Sequence, residues 1–150
     1  MAKLAAALHE EAIHGNPRKA RLVPHDAYCR DVDELSAQLR QWVRLNGWDS
    51  HSALFVDGMP KRFLGSPGTD LDRAVVEALG SEGFSVDWVN LSERLGIRPG
   101  DFHASHDLVE KTRQVVRTAD WNLFVVLGSG SITDVVKQAL FLEGITAPLV

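Results

Sequence analysis

The apolar positions fall into a few short continuous runs separated by longer stretches with helical spacing. Residues 52–56 (Ser-Ala-Leu-Phe-Val) and 123–127 (Leu-Phe-Val-Val-Leu) are the plainest runs. Each is too short for a helix and rich in branched side chains, as a buried strand is. Residues 84–89 form a third such run, and 145–150 look like a fourth strand just starting. Between them the pattern turns helical. Leu35, Leu39, Trp42, Val43 and Leu45 make one stripe, with Asp31 or Asp33 as cap and Gly47 as stop. A second helix is expected from a cap at Thr69 to Leu79, a third from Asp107 to about Thr118, and a fourth from the glycine-serine turn through Leu142. The loops are 65–69 and 96–105, both rich in turn formers. Strand, helix, strand, helix, strand, helix, strand is the order of an α/β domain whose parallel sheet is covered on both faces. The first 30 residues stand apart: a helix over about the first dozen, a Gly15-Asn16-Pro17 break and an extended piece at 21–23. They form an N-terminal extension, and 31–150 the domain proper.

Composition narrows the picture only a little. With 150 residues, 45% hydrophobic and 24% charged, the chain has the makings of one soluble core. A formal net charge of −4 argues against a nucleic-acid partner or an anionic membrane surface, both of which favour a basic field. The lone cysteine, Cys29, leaves no internal disulfide and fits a reducing compartment. His9, Glu10 and Glu11 interrupt the first apolar stretch before a signal-peptide core could form, and no run approaches the roughly 20 residues of a membrane span. The cytoplasm is the expected location.

Open parallel sheets bind ligands at the carboxyl ends of their strands, and two strand ends here carry suitable chemistry. The 123–127 strand runs into Gly128-Ser129-Gly130-Ser131 and straight on into a helix. Glycines let a phosphate approach the backbone, and the first helical turn points unpaired N–H groups at that space. The same letters also describe a tight turn with Ser131 as N-cap and Asp134 closing a capping box. The spacing is not the Gly-x-Gly-x-x-Gly of a classical Rossmann domain, and no Gly-Lys-Ser/Thr of a P-loop is present. At the other strand end Asp57 precedes Gly58, a pair that either forms a turn or offers a carboxylate to a ligand. His25, Asp26 and Cys29, and His103, His106 and Asp107, have the letters of metal ligands but sit in turns and caps, and neither set is assigned to a metal. Trp42, Trp48, Trp88 and Trp121 are expected as core and interface anchors.

The run from Asn122 through Gly128-Ser129-Gly130 to Asp134 and Lys137, followed by residues 144–150 (Gly-Ile-Thr-Ala-Pro-Leu-Val), resembles the iron-containing alcohol dehydrogenase and dehydroquinate synthase superfamily. Gly-Ser-Gly, where many members have three glycines, looks most like the glycerol-1-phosphate dehydrogenase branch, although Ser131 stands where that branch usually has threonine. The likeness includes residues 54–57 (Leu-Phe-Val-Asp), extends more weakly from about Asp31 to the end, and does not cover the first thirty residues.

This resemblance implies a Rossmann-like, three-layer, dehydroquinate synthase-like N-terminal domain that binds NAD or NADP. Gly128, Ser129 and Gly130, with Ser131, match the loop that holds the pyrophosphate. Asp57 matches the acid that meets the adenosine ribose, and its charge modestly favours NAD over NADP. Asp134 matches an acid near the polyol substrate. Lys137, one turn on, is either a substrate-side cation or a surface ion-pair partner of Asp134. No residue of the chain matches a catalytic or metal ligand. In the family a divalent metal (zinc, nickel or iron) sits in a second, helical domain that would follow residue 150. The expectation is therefore an NAD(P)-dependent oxidoreductase half, converting dihydroxyacetone phosphate to glycerol 1-phosphate only in the complete enzyme. The 150 residues alone should be inactive and prone to homo-oligomerise through apolar surface left uncovered. The alternatives are a non-catalytic nucleotide-binding or interaction module, and half of a dehydroquinate synthase-like cyclase.

Overall fold

The computed structural model describes residues 29–46, 51–62 and 68–150. The expected helix and extended piece before residue 29, the Gly47 stop, Trp48, His25, Asp26 and most of the 65–69 loop lie outside these residues.

In chain order the elements are α1 (Val32–Asn46), β1 (His51–Val56), α2 (Leu71–Ser81), β2 (Ser85–Asn90), the short α3 (Leu91–Leu95), α4 (His106–Val116), β3 (Leu123–Leu127) and α5 (Gly130–Glu143). The sheet is parallel in the order β2-β1-β3. Residue 149 adds an isolated parallel bridge to Phe124, so the fourth expected strand is present as a bridge and not as a full strand.

Side-chain alternation sorts the core into two clusters. Ala53, Phe55 and Phe124 pack with α4 and α5 residues such as Val116, Val135 and Val136. Leu54, Val56, Leu123 and Val125 pack with Leu39 and Val43 of α1 and Val75, Ala78 and Leu79 of α2. Because neighbouring strand residues point to opposite faces, each face of β1 and β3 is covered by a pair of helices. Their near-continuous apolar character follows, as does the full burial of residues 53–56. Phe55, Trp121 and Phe124 centre the first cluster, with Trp121 edge-on to both phenylalanines at centroid distances of 5.7 and 5.8 Å.

β2 behaves differently. Val89 is its one fully buried side chain, while Trp88 is 49% exposed. Trp121 is thus a core anchor, whereas Trp88, on a flanking strand, lies outside the core. The helix starts are also corrected. Asp70, not Thr69, caps α2, its carboxylate accepting from the Asp72 N–H at 3.1 Å. Ser105 caps α4 through the Leu108 N–H at 3.3 Å, one residue before His106, so Asp107 lies within the first turn. In each case a neighbouring polar residue has the extended backbone a cap requires. Among the described residues no helix is long and apolar enough to cross a membrane.

Candidate functional site at the strand ends

Val56 is the register partner of Leu127 on one side and of Asn90 on the other. Asp57 and Gly128, which follow Val56 and Leu127, therefore emerge side by side at the carboxyl end of the sheet, with Asn90 at the end of β2 on the other flank. Sheet order, rather than sequence distance, brings Asp57 and the glycine-serine loop together.

Asp57 is buried, with 6% of its surface exposed. Gly58, at φ +79°, turns the chain back on itself, a backbone state that glycine reaches without strain. The Met59 N–H then donates to Asp57 Oδ1 at 3.0 Å. The Lys61 ammonium closes the turn by donating to the same Oδ1 and, at 2.8 Å, to the Met59 carbonyl. Behind the turn, Ser92 of α3 is buried and its hydroxyl donates to the Asp57 carbonyl at 2.5 Å. Asn90 accepts from the Glu93 N–H and starts α3, its amide lying just over 3 Å from the place of a Cβ on Gly58.

On the neighbouring strand, a Cβ on Gly128 would stand 2.5 Å from Ile132 Cγ2 and 3.2 Å from Asp57 Oδ2. Glycine is required there by packing. Gly130 differs: a Cβ there meets nothing within 4 Å, and its φ is not positive. Gly130 opens α5, so the N-cap is Ser129 and not Ser131, and Ser129 makes no side-chain capping bond. The capping box of Ser131 and Asp134 is consequently absent, since both residues lie inside the helix. Asp134 instead accepts from Lys137 at 3.0 Å, with both side chains more than half exposed on α5. Among the described residues no hydrogen bond or ion pair joins Asp134 or Lys137 to Asp57.

A second carboxylate borders the site. Burial pushes the Asp72 carboxyl above its ordinary range, against the pull of the Trp88 indole N–H, while Asp70 and Asp57 add to the rise and Lys61 opposes it. The Trp88 N–H lies 3.4 Å from Oδ2, and Oδ1 is buried with no partner among the described residues. Elsewhere, His103 Nδ1 lies 2.9 Å from the Asp101 carbonyl, and both His103 and His106 are exposed. Among the described residues no group of three or more His, Cys, Asp or Glu could hold a metal ion.

Lys61, Ser92 and Asn90 were not among the residues the sequence singled out. The one available signal was Lys61, four residues after Asp57 across a Gly-Met-Pro turn. No protein family, curated protein or solved structure matches the chain.

Proposed function

We propose that this α/β unit is the NAD(P)-binding half of a metal-dependent polyol-phosphate dehydrogenase of the glycerol-1-phosphate dehydrogenase kind, with the Rossmann-like, three-layer architecture of dehydroquinate synthase-like N-terminal domains. The observation that carries this proposal is Gly130. Gly130, the first residue of α5, has an ordinary φ and open space around it, so among the described residues neither backbone strain nor packing calls for glycine there. Close approach of a pyrophosphate to the bare backbone would call for it. The unbonded N–H groups of the first α5 turn and the Ser129 and Ser131 hydroxyls supply the donors.

Asp57 supports the same placement. Among the described residues both of its side-chain donors end on Oδ1, while Oδ2 faces Gly128, in position to accept from a ribose hydroxyl. When bound, the nicotinamide accepts or returns hydride; this chain's residues hold and orient the dinucleotide. Asp134 and Lys137 would face the polyol phosphate. Catalysis would need a divalent metal held by a helical domain outside these residues. The setting would be cytoplasmic.

The test is nucleotide titration of wild type and Gly130→Val, alongside thermal melts. The expected result is loss of NADH binding with little change in stability. Equal binding by both proteins would remove the cradle.

A further inference from the structure

Two indole N–H groups of this chain end on aspartates, and the two pairs are built in opposite ways. The Trp121 N–H donates to Asp87 Oδ2 at 2.8 Å, on a half-exposed carboxylate that also has His51 Nε2 at 3.1 Å. The Trp88 N–H donates to Asp72 Oδ2 at 3.4 Å, on a carboxylate whose Oδ1 is enclosed with no partner among the described residues. We propose that the second pair is a proton-operated latch: charged Asp72 holds the Trp88 ring of the flanking strand β2 against the first turn of α2, and protonation of Asp72 releases it. The latch does not depend on nucleotide binding.

A carboxylate oxygen enclosed without a donor has lost its hydration and gained nothing in return, so the neutral acid is favoured there. Burial is the largest influence on Asp72 and pushes its carboxyl above the ordinary aspartate range. The Trp88 N–H pulls the other way, Asp70 adds to the rise, Lys61 opposes it and Asp57 adds to it. Asp87 is the reverse case. The Trp121 N–H, the largest influence, holds its carboxyl below the ordinary range against burial, helped by His51 and Arg94. An indole N–H binds a carboxylate more strongly than a neutral acid. Each contact therefore weakens as its own carboxyl takes up a proton, and the two do so on opposite sides of the ordinary aspartate value. Release of Trp88 is confined to one corner of the fold. Val89 is the one fully buried side chain of β2, and the β1 ladder holds the strand itself. That corner adjoins the Gly58 turn, because the Leu71 N–H at the start of α2 donates to the Lys61 carbonyl at 3.1 Å. Mild acid thus frees the flank beside Asp57, while Trp121 stays packed on Phe55 and Phe124.

The experiment follows the indole N–H signals of the nitrogen-15-labelled full chain by NMR as pH is lowered from neutral. Wild type, Asp72→Asn and Asp70→Asn are compared, with Trp88→Phe and Asp87→Asn assigning the two signals. In wild type the Trp88 signal should shift with a midpoint above the ordinary aspartate range, and its heteronuclear NOE should fall through the same transition as the ring is freed. The Trp121 signal should move only below that range, with the two midpoints at least about one pH unit apart. Asp72→Asn should abolish the Trp88 transition and leave that of Trp121. Asp70→Asn, whose amide caps a helix as the acid does, should keep the Trp88 transition but displace it toward lower pH. A Trp88 transition that coincides with that of Trp121, that survives in Asp72→Asn, or that leaves the NOE unchanged overturns the proposal. Should Asp72→Asn fail to fold, the order of the two transitions in wild type decides, and Trp121 moving first overturns it as well.

Discussion

Asp57 Oδ2 lies 3.2 Å from where a Cβ on Gly128 would stand, so the acid of the central strand and the first glycine of the neighbouring loop share one small space. Ile132 Cγ2 closes that space from the helix side at 2.5 Å. The two glycines of the loop are therefore separable. Gly128→Ala should cost about 1–3 kcal/mol of stability, the usual penalty for forcing atoms into a packed site. Gly130→Ala should be neutral or slightly stabilising, because helix propensity favours alanine and no neighbour is displaced. Chemical denaturation of the two variants checks this; equal losses would show that the loop is packed at both positions.

The α4 and α5 helices are clamped by charge. Glu143 is almost fully enclosed; Arg113 Nε donates to its Oε1 at 2.5 Å and Arg117 Nε to its Oε2, while Arg113 also reaches Glu110 at 2.8 Å. The two guanidiniums, Arg113 first, hold the Glu143 carboxyl below its ordinary value against the effect of burial. A carboxyl depressed on folding binds more protons in the unfolded chain, so its stabilisation is complete above the unfolded value and disappears as pH falls through the folded one. Glu143→Gln should thus lower Tm at neutral pH, with the deficit shrinking as pH drops below the ordinary glutamate range. Thermal melts across that range provide the measurement, and a deficit independent of pH would mean the ion pairs are not its source.

Asp70 and Thr69 make a clean pair. Asp70→Ala removes the acceptor for the Asp72 N–H and should cost about 1 kcal/mol, as loss of an N-cap does. Thr69→Ala should leave stability within about 0.5 kcal/mol of wild type, as surface changes away from such features do. A reversal of the two would move the start of α2 by one residue.

How much of this was legible beforehand depended on what each element buries. β1 and β3 are covered on both faces, and that burial writes itself as the continuous apolar runs 52–56 and 123–127. β2 buries little besides Val89, so its apolar letters do not tell that Trp88 lies outside the core. The starts of α2, α4 and α5 were each missed by a residue or two because several polar residues stand in a row, and backbone angles decide which one caps. Asp57 and the glycine-serine loop could be named individually. Their meeting depends on β1 lying beside β3 with β2 on its other side, a crossover that no local pattern encodes. Lys61 was hidden for a related reason, since only the positive φ of Gly58 folds it back onto Asp57.

The bridge between Phe124 and Leu149 has a mechanical consequence. The Phe124 N–H donates to the Pro148 carbonyl at 2.9 Å, the Val150 N–H to the Phe124 carbonyl at 2.9 Å, and the Val126 N–H to the Val150 carbonyl at 2.8 Å. With the β1 ladder on its other flank, β3 is held from both sides, and fraying of the strand has to break the bonds of this bridge as well as those of the ladder. Amide deuterium uptake should be slowest along β1 and β3 and distinctly faster along β2, which has β1 as its one partner among the described strands. The loop at the end of β3 is thereby mounted on a strand that is hydrogen-bonded along both of its edges.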